Sequence, residues 1–199
     1  MSDSQKLIQY AQSYLKKQPF DIVHDLEHHQ LVVRNCEAII QNEKLKPNLD
    51  VIMTAAWWHD VEKSYKTANS SDNTIVFFQK VAKELGIDNT FIELCSNTIK
   101  EHSFSGRQTS LESNILFDAD KIEYVNDDRI SKLVDDFVLH PSKYKPDQLQ
   151  NTHDIWAFRI TKVQDMMHFE YSKKVFQEKI AATESILEKF QRKLDSIKK

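Results

Sequence analysis

The chain has 199 residues, with 27 Lys plus Arg against 30 Asp plus Glu and a formal charge of −3; the length suits one well-buried domain, and the charge supplies no overall basic field for nucleic acid or an anionic membrane surface. No stretch of about 18 apolar residues is present, and MSDSQKLIQYAQSYLKKQPF lacks an apolar signal core with a small-residue cleavage site, so a cytoplasmic protein without a membrane partner is expected. Cys36 and Cys95 each sit in an apolar helical pattern, which predicts buried thiols rather than a disulfide.

Two glycines and four prolines leave few residues for the tight turns a sheet needs, whereas Lys, Glu, Gln, Leu, Ile and Ala are plentiful and favour helix. The fold class expected is all-α, one compact multi-helix bundle over 1–199. A first helix is predicted over 4–17, with Leu7, Tyr10, Ala11, Tyr14 and Leu15 on one face and Pro19 beyond its end. A second runs from Asp25 to Glu43 and carries Leu31, Val32, Cys36, Ile39 and Ile40 before the loop at Pro47. Asp50 is the expected cap of a third, VIMTAAWWHD, which is almost wholly apolar until it ends in His59 and Asp60, the pattern of a helix driven through a core. Its Trp57 and Trp58 read as packing residues rather than a base-stacking platform. The hydrophilic VEKSYKTANSSD leads to a helix over 72–85 stopped by Gly86, and then to one over 89–101. Beyond HSFSGRQTS, Thr109 or Ser110 can cap LESNILFDADKIEYV, and Asp127 or Asp128 can open a helix reaching Val138. Pro141 and Pro146 break the pattern, after which Phe176, Ile180, Thr183, Leu187, Phe190 and Leu194 recur in steps of four and three.

The dipeptide His-Asp occurs at 24–25, 59–60 and 153–154, so context must distinguish the three. In HDLEHHQ, His24 and His28 lie one helical turn apart. His59 and Asp60 close the apolar helix. Asp154, in a Gln- and Asn-rich connection, reads as the N-cap of the next helix and is given no chemistry. FDADKIEYV places Asp118 and Asp120 in an apolar run, where buried carboxylates are costly unless paired or bound to a cation. Each residue alone has an ordinary capping or solvated role. Together, His28, His59, Asp60 and one later carboxylate make a mixed imidazole and carboxylate set, suited to Mn, Fe, Ni, Co or Mg rather than to a thiolate-bound structural zinc.

In this order the residues resemble the HD superfamily of metal-dependent phosphohydrolases. HDLEHHQLVV looks like that family's first ligand helix, AAWWHDVEKS like its apolar run into the His-Asp pair, and FDADKIEYV like its final ligand segment. The family's ligand Asp directly precedes Lys or Arg, so the resemblance selects Asp120, before Lys121, and leaves Asp118 as a residue supporting the ligands from behind. IKEHSFSG and FRITKVQDMMHFEYSKKVFQEK resemble a bacterial branch of small HD hydrolases, so the likeness covers most of the chain, with a metal-ligand core at about 21–125 and helices over 127–199 completing the bundle. The branch usually has Arg-Val shortly after the first ligand and a Gly-rich stretch after the last; here His29-Gln30-Leu31 and Asn126-Asp127-Asp128 stand in those places, departures that bear on substrate identity.

The resemblance implies one divalent ion and a phosphoester substrate, a nucleotide or small phosphorylated metabolite, hydrolysed by water that the ion activates. Either that water attacks unaided, or a nearby group removes its proton, a role open to Asp60. Lys63 and His102 are further catalytic candidates, Lys63 through its charge on a phosphate and His102 as phosphate ligand or proton donor. Arg107, Lys121, Arg159 and Lys162 join Lys63 and His102 as candidate phosphate contacts. His24 either orients His28 or caps its helix. Two other readings stay open: a di-iron oxygenase, which would draw on His24, His29 and His102 for a second metal, and a non-catalytic nucleotide-sensing module. A zinc protease is disfavoured because Asp25 replaces the Glu of HExxH. Nucleic acid is not an expected partner, and neither the metal nor the oligomeric state is specified.

Overall fold

The structure is a computed structural model and describes residues 1–17, 23–62, 70–140 and 146–197. Among these residues the regular elements are all helical: α1 (Asp3–Lys17), α2 (Leu26–Asn42), α3 (Leu49–Trp58), α4 (Ser70–Glu84), α5 (Asn89–Glu101), α6 (Leu111–Ile122), a 3-10 turn (Glu123–Val125), α7 (Asp127–Leu139), α8 (Pro146–Met166) and α9 (Glu170–Ile197). The all-α class stands. No helix among the described residues is long and apolar enough to cross a membrane. The chain divides into two compact units, Met1–Asp120 and Lys121–Lys199, with the division inside α6.

In the first unit α3 is the innermost helix, packed against α1, α2 and α5, while α4 lies on α5. Its sequence explains this: Val51, Ile52, Thr54, Ala55, Ala56, Trp57 and Trp58 are all buried, leaving little polar face to turn outward. The polar atoms it does bury find partners. Thr54 Oγ1 donates to Ser4 Oγ at 3.0 Å, and Trp58 Nε1 donates to the Leu7 carbonyl at 3.0 Å. Tyr10, Phe77 and Phe78 surround the Trp58 ring at centroid distances of 5.8, 5.8 and 5.2 Å.

The helix starts follow side-chain oxygens that take free amides. Asp25 caps α2, Asp88 caps α5, and Ser110 Oγ accepts from Ser113 N at 3.0 Å at the start of α6. Asn48 caps α3, accepting from Val51 N at 3.3 Å; Asp50 was expected there, but it lies inside the first turn, where a carboxylate complements the positive helix end. Two helices end in the same wrapped turn. Gly86, with φ 68°, is followed by Ile87 N donating to the Ala82 carbonyl at 3.0 Å, and Leu45 N likewise reaches the Ile40 carbonyl at 3.0 Å. The second turn has Lys44 at φ 54° in the left-handed position that glycine usually takes.

In the second unit α9 packs on α7 and α8, and the 3-10 turn touches all three. Asn126, rather than Asp127 or Asp128, caps α7, accepting from Arg129 N at 3.2 Å, while its own amide donates to Glu123 Oε2 at 2.7 Å. The expectation for Asp154 is also corrected. Helix α8 begins at Pro146, a first-turn position where a missing N–H costs nothing, so Asp154 lies inside the helix, exposed, and accepts from Gln150 Nε2 at 2.9 Å. Phe176, Thr183, Leu187, Phe190 and Leu194 are buried along α9, and Ile180 is half-buried.

Candidate metal centre

The residues at this site come from helix ends and from one helix interior. Asp25 Oδ1 accepts from His28 N at 2.9 Å, so the cap of α2 also fixes the backbone from which His28 projects. His59 is the C-cap of α3 and Asp60 follows it. Asp118 and Asp120 lie on α6, which is tied to α2 by Asn35 Nδ2 donating to the Ala119 carbonyl at 3.0 Å. Each of His28, His59, Asp60 and Asp120 offers one ligand atom within 4.8 Å of the other three, and all four residues are buried.

His59 Nδ1 lies 2.8 Å from the Ala56 carbonyl. A carbonyl only accepts, so Nδ1 carries the proton and Nε2 presents a lone pair. That lone pair is 3.1 Å from His28 Nε2, 3.7 Å from Asp60 Oδ2 and 3.8 Å from Asp120 Oδ1; His28 Nε2 is 3.6 Å from Asp120 Oδ1. Burial pushes the His59 ring down to about 4 against the pull of Asp60 and Asp120, so near neutrality it does not take a second proton. Four electron-pair donors thus converge in a dry space. Bonds of about 2.1 Å from one cation to N and O ligands separate neighbouring ligand atoms by roughly 3.0 to 3.5 Å, close to the 3.1 to 3.8 Å spacings around His59 and His28. The donor set therefore fits a divalent ion, and its lack of thiolate favours hard or borderline metals.

Two further histidines flank Asp60. His102 Nε2 is 3.4 Å from Oδ1 and His24 Nε2 is 3.8 Å from Oδ2. His102 caps α5 and its Nδ1 donates to the Ile99 carbonyl, the arrangement His59 has at α3. Beyond His102 the loop folds flat on the last turn of α5: Thr109 N and Oγ1 donate to the Glu101 carboxylate at 2.8 and 2.7 Å, Gln108 Nε2 donates to the Glu101 carbonyl at 2.6 Å, and a Cβ on Gly106 would meet that carbonyl oxygen at 2.5 Å.

The remaining residues expected at the site are distributed differently. Asp118 is wholly buried on α6, and Arg107 is exposed on the loop after α5. Lys63 lies outside the described residues. Within the second unit, Lys121 and Arg159 come together on one ring, Tyr124, each with its charge 5.7 Å from the centroid, and Arg159 Nη1 donates to Tyr124 Oη at 2.9 Å. Lys162 is exposed on α8, three residues beyond Arg159.

Tyr124 was not anticipated, and no pattern in the sequence marks it. The carbonyls of Ala56 and Ile99 were missed too, although a signal existed: a histidine placed just past a helix end can bond back to the carbonyl three residues earlier. His29, considered only for a second metal, is fully buried; burial and neighbouring His59 hold its ring well below the usual histidine range, in the neutral form.

A helical scaffold with a buried His2Asp2 cluster defines a candidate metalloprotein. The HD domain family matches residues 21–125, more than half of the chain, and the chain belongs to that family. No curated protein matches it. Among solved structures, a structural-genomics protein from Lactobacillus plantarum superposes with a TM-score of 0.72 at 19% identity, covering 98% of this chain and 97% of its own. Bacillus subtilis YpgQ, crystallised in complex with ADP, gives 0.60 at 18% identity over 97% of this chain and 96% of its own. A predicted HD superfamily hydrolase from an uncultured Thermotogales bacterium gives 0.57 at 17% identity over 95% and 91%. These likenesses extend the shared fold beyond the family match.

Proposed function

We propose that the protein is a metal-dependent phosphohydrolase acting on a nucleotide or small phosphorylated metabolite, with His28, His59, Asp60 and Asp120 as the ligands of one divalent ion. The observation that supports this most is the convergence of those four buried donors. When bound, the ion supplies Lewis acidity, drawing the pKa of coordinated water towards neutral and polarising a phosphoryl oxygen. The chain's part is positional and protonic. The Ala56 carbonyl fixes the His59 tautomer so that Nε2 faces the cluster. Asp60, the cluster member that His102 faces, is placed to take a proton from an attacking water, and His102 to bind phosphate or give a proton to the leaving oxygen. His24 and Asp118 are proposed to orient the ligands, and Lys63, Arg107, Lys121, Arg159 and Lys162 to contact phosphate. Nucleotides head the substrate panel because YpgQ, which shares the fold, was crystallised with ADP.

The test is phosphate release from nucleotides and phosphomonoesters with Mn, Mg, Co or Ni, comparing wild type with His59→Ala, Asp60→Ala and the remote Asp154→Ala. Metal-dependent turnover should fall by a factor of about 100 or more in the first two variants and persist in the third. Bound metal without phosphate release from any substrate would turn the reading towards the oxygenase or sensing alternatives. Absence of bound metal would sink it.

A further inference from the structure

His29 follows a metal-ligand candidate in the chain, yet its side chain has a different setting. It is 0% exposed, and neither ring nitrogen meets hydrogen-bond geometry with a partner among the described residues, the Ala56 carbonyl that His59 Nδ1 already occupies acting on it only weakly. The ring lies 4.7 Å from that of His59, inclined by 48°, and 5.5 Å from that of His28 at 70°. It therefore abuts both imidazoles without belonging to the set of four converging donors. A neutral imidazole carries one N–H and one lone pair, and leaving both unsatisfied in a dry interior costs more than an apolar side chain of similar size would. Position 29 thus carries a group that the metal-free fold would be better without. Destabilising groups of this kind are kept where function requires them.

We propose that His29 is a positioning residue for the metal centre, holding the rings of His28 and His59 in their ligating orientations and offering the electron-rich face of a neutral imidazole to His59 once that ring shares a cation's charge. The inference rests on the metal reading proposed above. The attraction between a charged ring and a neutral aromatic face exists only in the loaded site, and outer partners of metal-bound histidines commonly change metal affinity by about 10- to 100-fold. The contribution of His29 is accordingly absent from the metal-free protein, where only its desolvation cost remains.

The experiment uses the full chain with two readouts, Mn affinity by calorimetry and the Tm of EDTA-treated protein, for wild type and His29→Leu. The expected result is a split: Mn binding weaker by about tenfold or more, together with a metal-free Tm raised by about 3 to 6 °C. Should His29→Leu not fold, His29→Phe, a flat ring without nitrogens, takes its place with the same expectation. Wild-type affinity in the variant overturns the inference. So does a lower metal-free Tm, the result if an internal water satisfies the ring. Wild type that binds no Mn fails the underlying metal reading, whereas wild type that binds it as well as the variant fails only the role of His29.

Discussion

The two nitrogens of His59 have separate tasks, one anchored on the Ala56 carbonyl and one directed at His28 and the carboxylates. Its setting makes metal-free stability depend on pH. The ordinary value is 6.5 and burial lowers the folded one to about 4, so below 6.5 the unfolded chain takes up a proton that the folded chain refuses. Stability from this group is complete above pH 6.5 and is lost as pH falls towards 4, by about 3 kcal/mol in all. Thermal melts of EDTA-treated protein between about pH 7 and pH 5 should show the decline, and His59→Gln should reduce it, leaving the part that buried His29 contributes. At this scale legibility was uneven. Asp120 could be preferred to Asp118 through the resemblance, whereas Tyr124 and the burial of His29 depend on which helices meet, and that is not encoded in the spacing of neighbours.

Among the elements, most helices were visible because their apolar residues repeat at helical spacing, and differences arose where two capping groups stood close together. Asn48 prevailed over Asp50, and Asn126 over Asp127 and Asp128, since the residue just before the first turn is the one whose side chain can reach back to free amides. Helix ends also provide sensitive substitutions. Lys44 bears the left-handed conformation with a Cβ, so Lys44→Gly should raise stability by about 1 kcal/mol, whereas Gly86→Ala, at the matching turn of α4, should lower it by about as much; denaturant melts with unchanged slope would measure both. Gly106→Ala is a different case, because the new methyl would strike the Glu101 carbonyl. Lifting the loop should cost about 1 to 3 kcal/mol and reduce turnover by displacing His102, which begins it. Burial raises the Glu101 carboxyl, but bonds from Thr109 and Ser113 outweigh that and leave it lowered overall. This contribution is present above the ordinary carboxylate range and is lost as pH falls through the folded value. Glu101→Gln should remove that acid sensitivity from the melting curve.

At the scale of the whole molecule, binding and folding are linked. A metal that binds only the folded chain stabilises it by RT ln(1 + [L]/Kd), about 2.7 kcal/mol at a hundredfold excess over Kd. Mn should therefore raise the Tm of wild type in a concentration-dependent way, while His59→Ala and Asp60→Ala should melt at the same temperature with and without it. The all-helical class was legible from composition because two glycines and four prolines cannot serve many tight turns. The two compact units divide at Asp120 and Lys121, inside a helix, where composition and periodicity carry on unchanged.

The burial of α3 has a dynamic consequence. His59 and Asp60 end the innermost helix of their unit, the one whose amides should exchange with deuterium last, since partial openings begin at frayed ends and thinly packed elements. Sub-global openings that release α1 or α4 would leave the tether of His59 and Asp60 in place, so the exchange of α3 amides and the loss of the His59–Asp60 pair should share one rate, that of global unfolding.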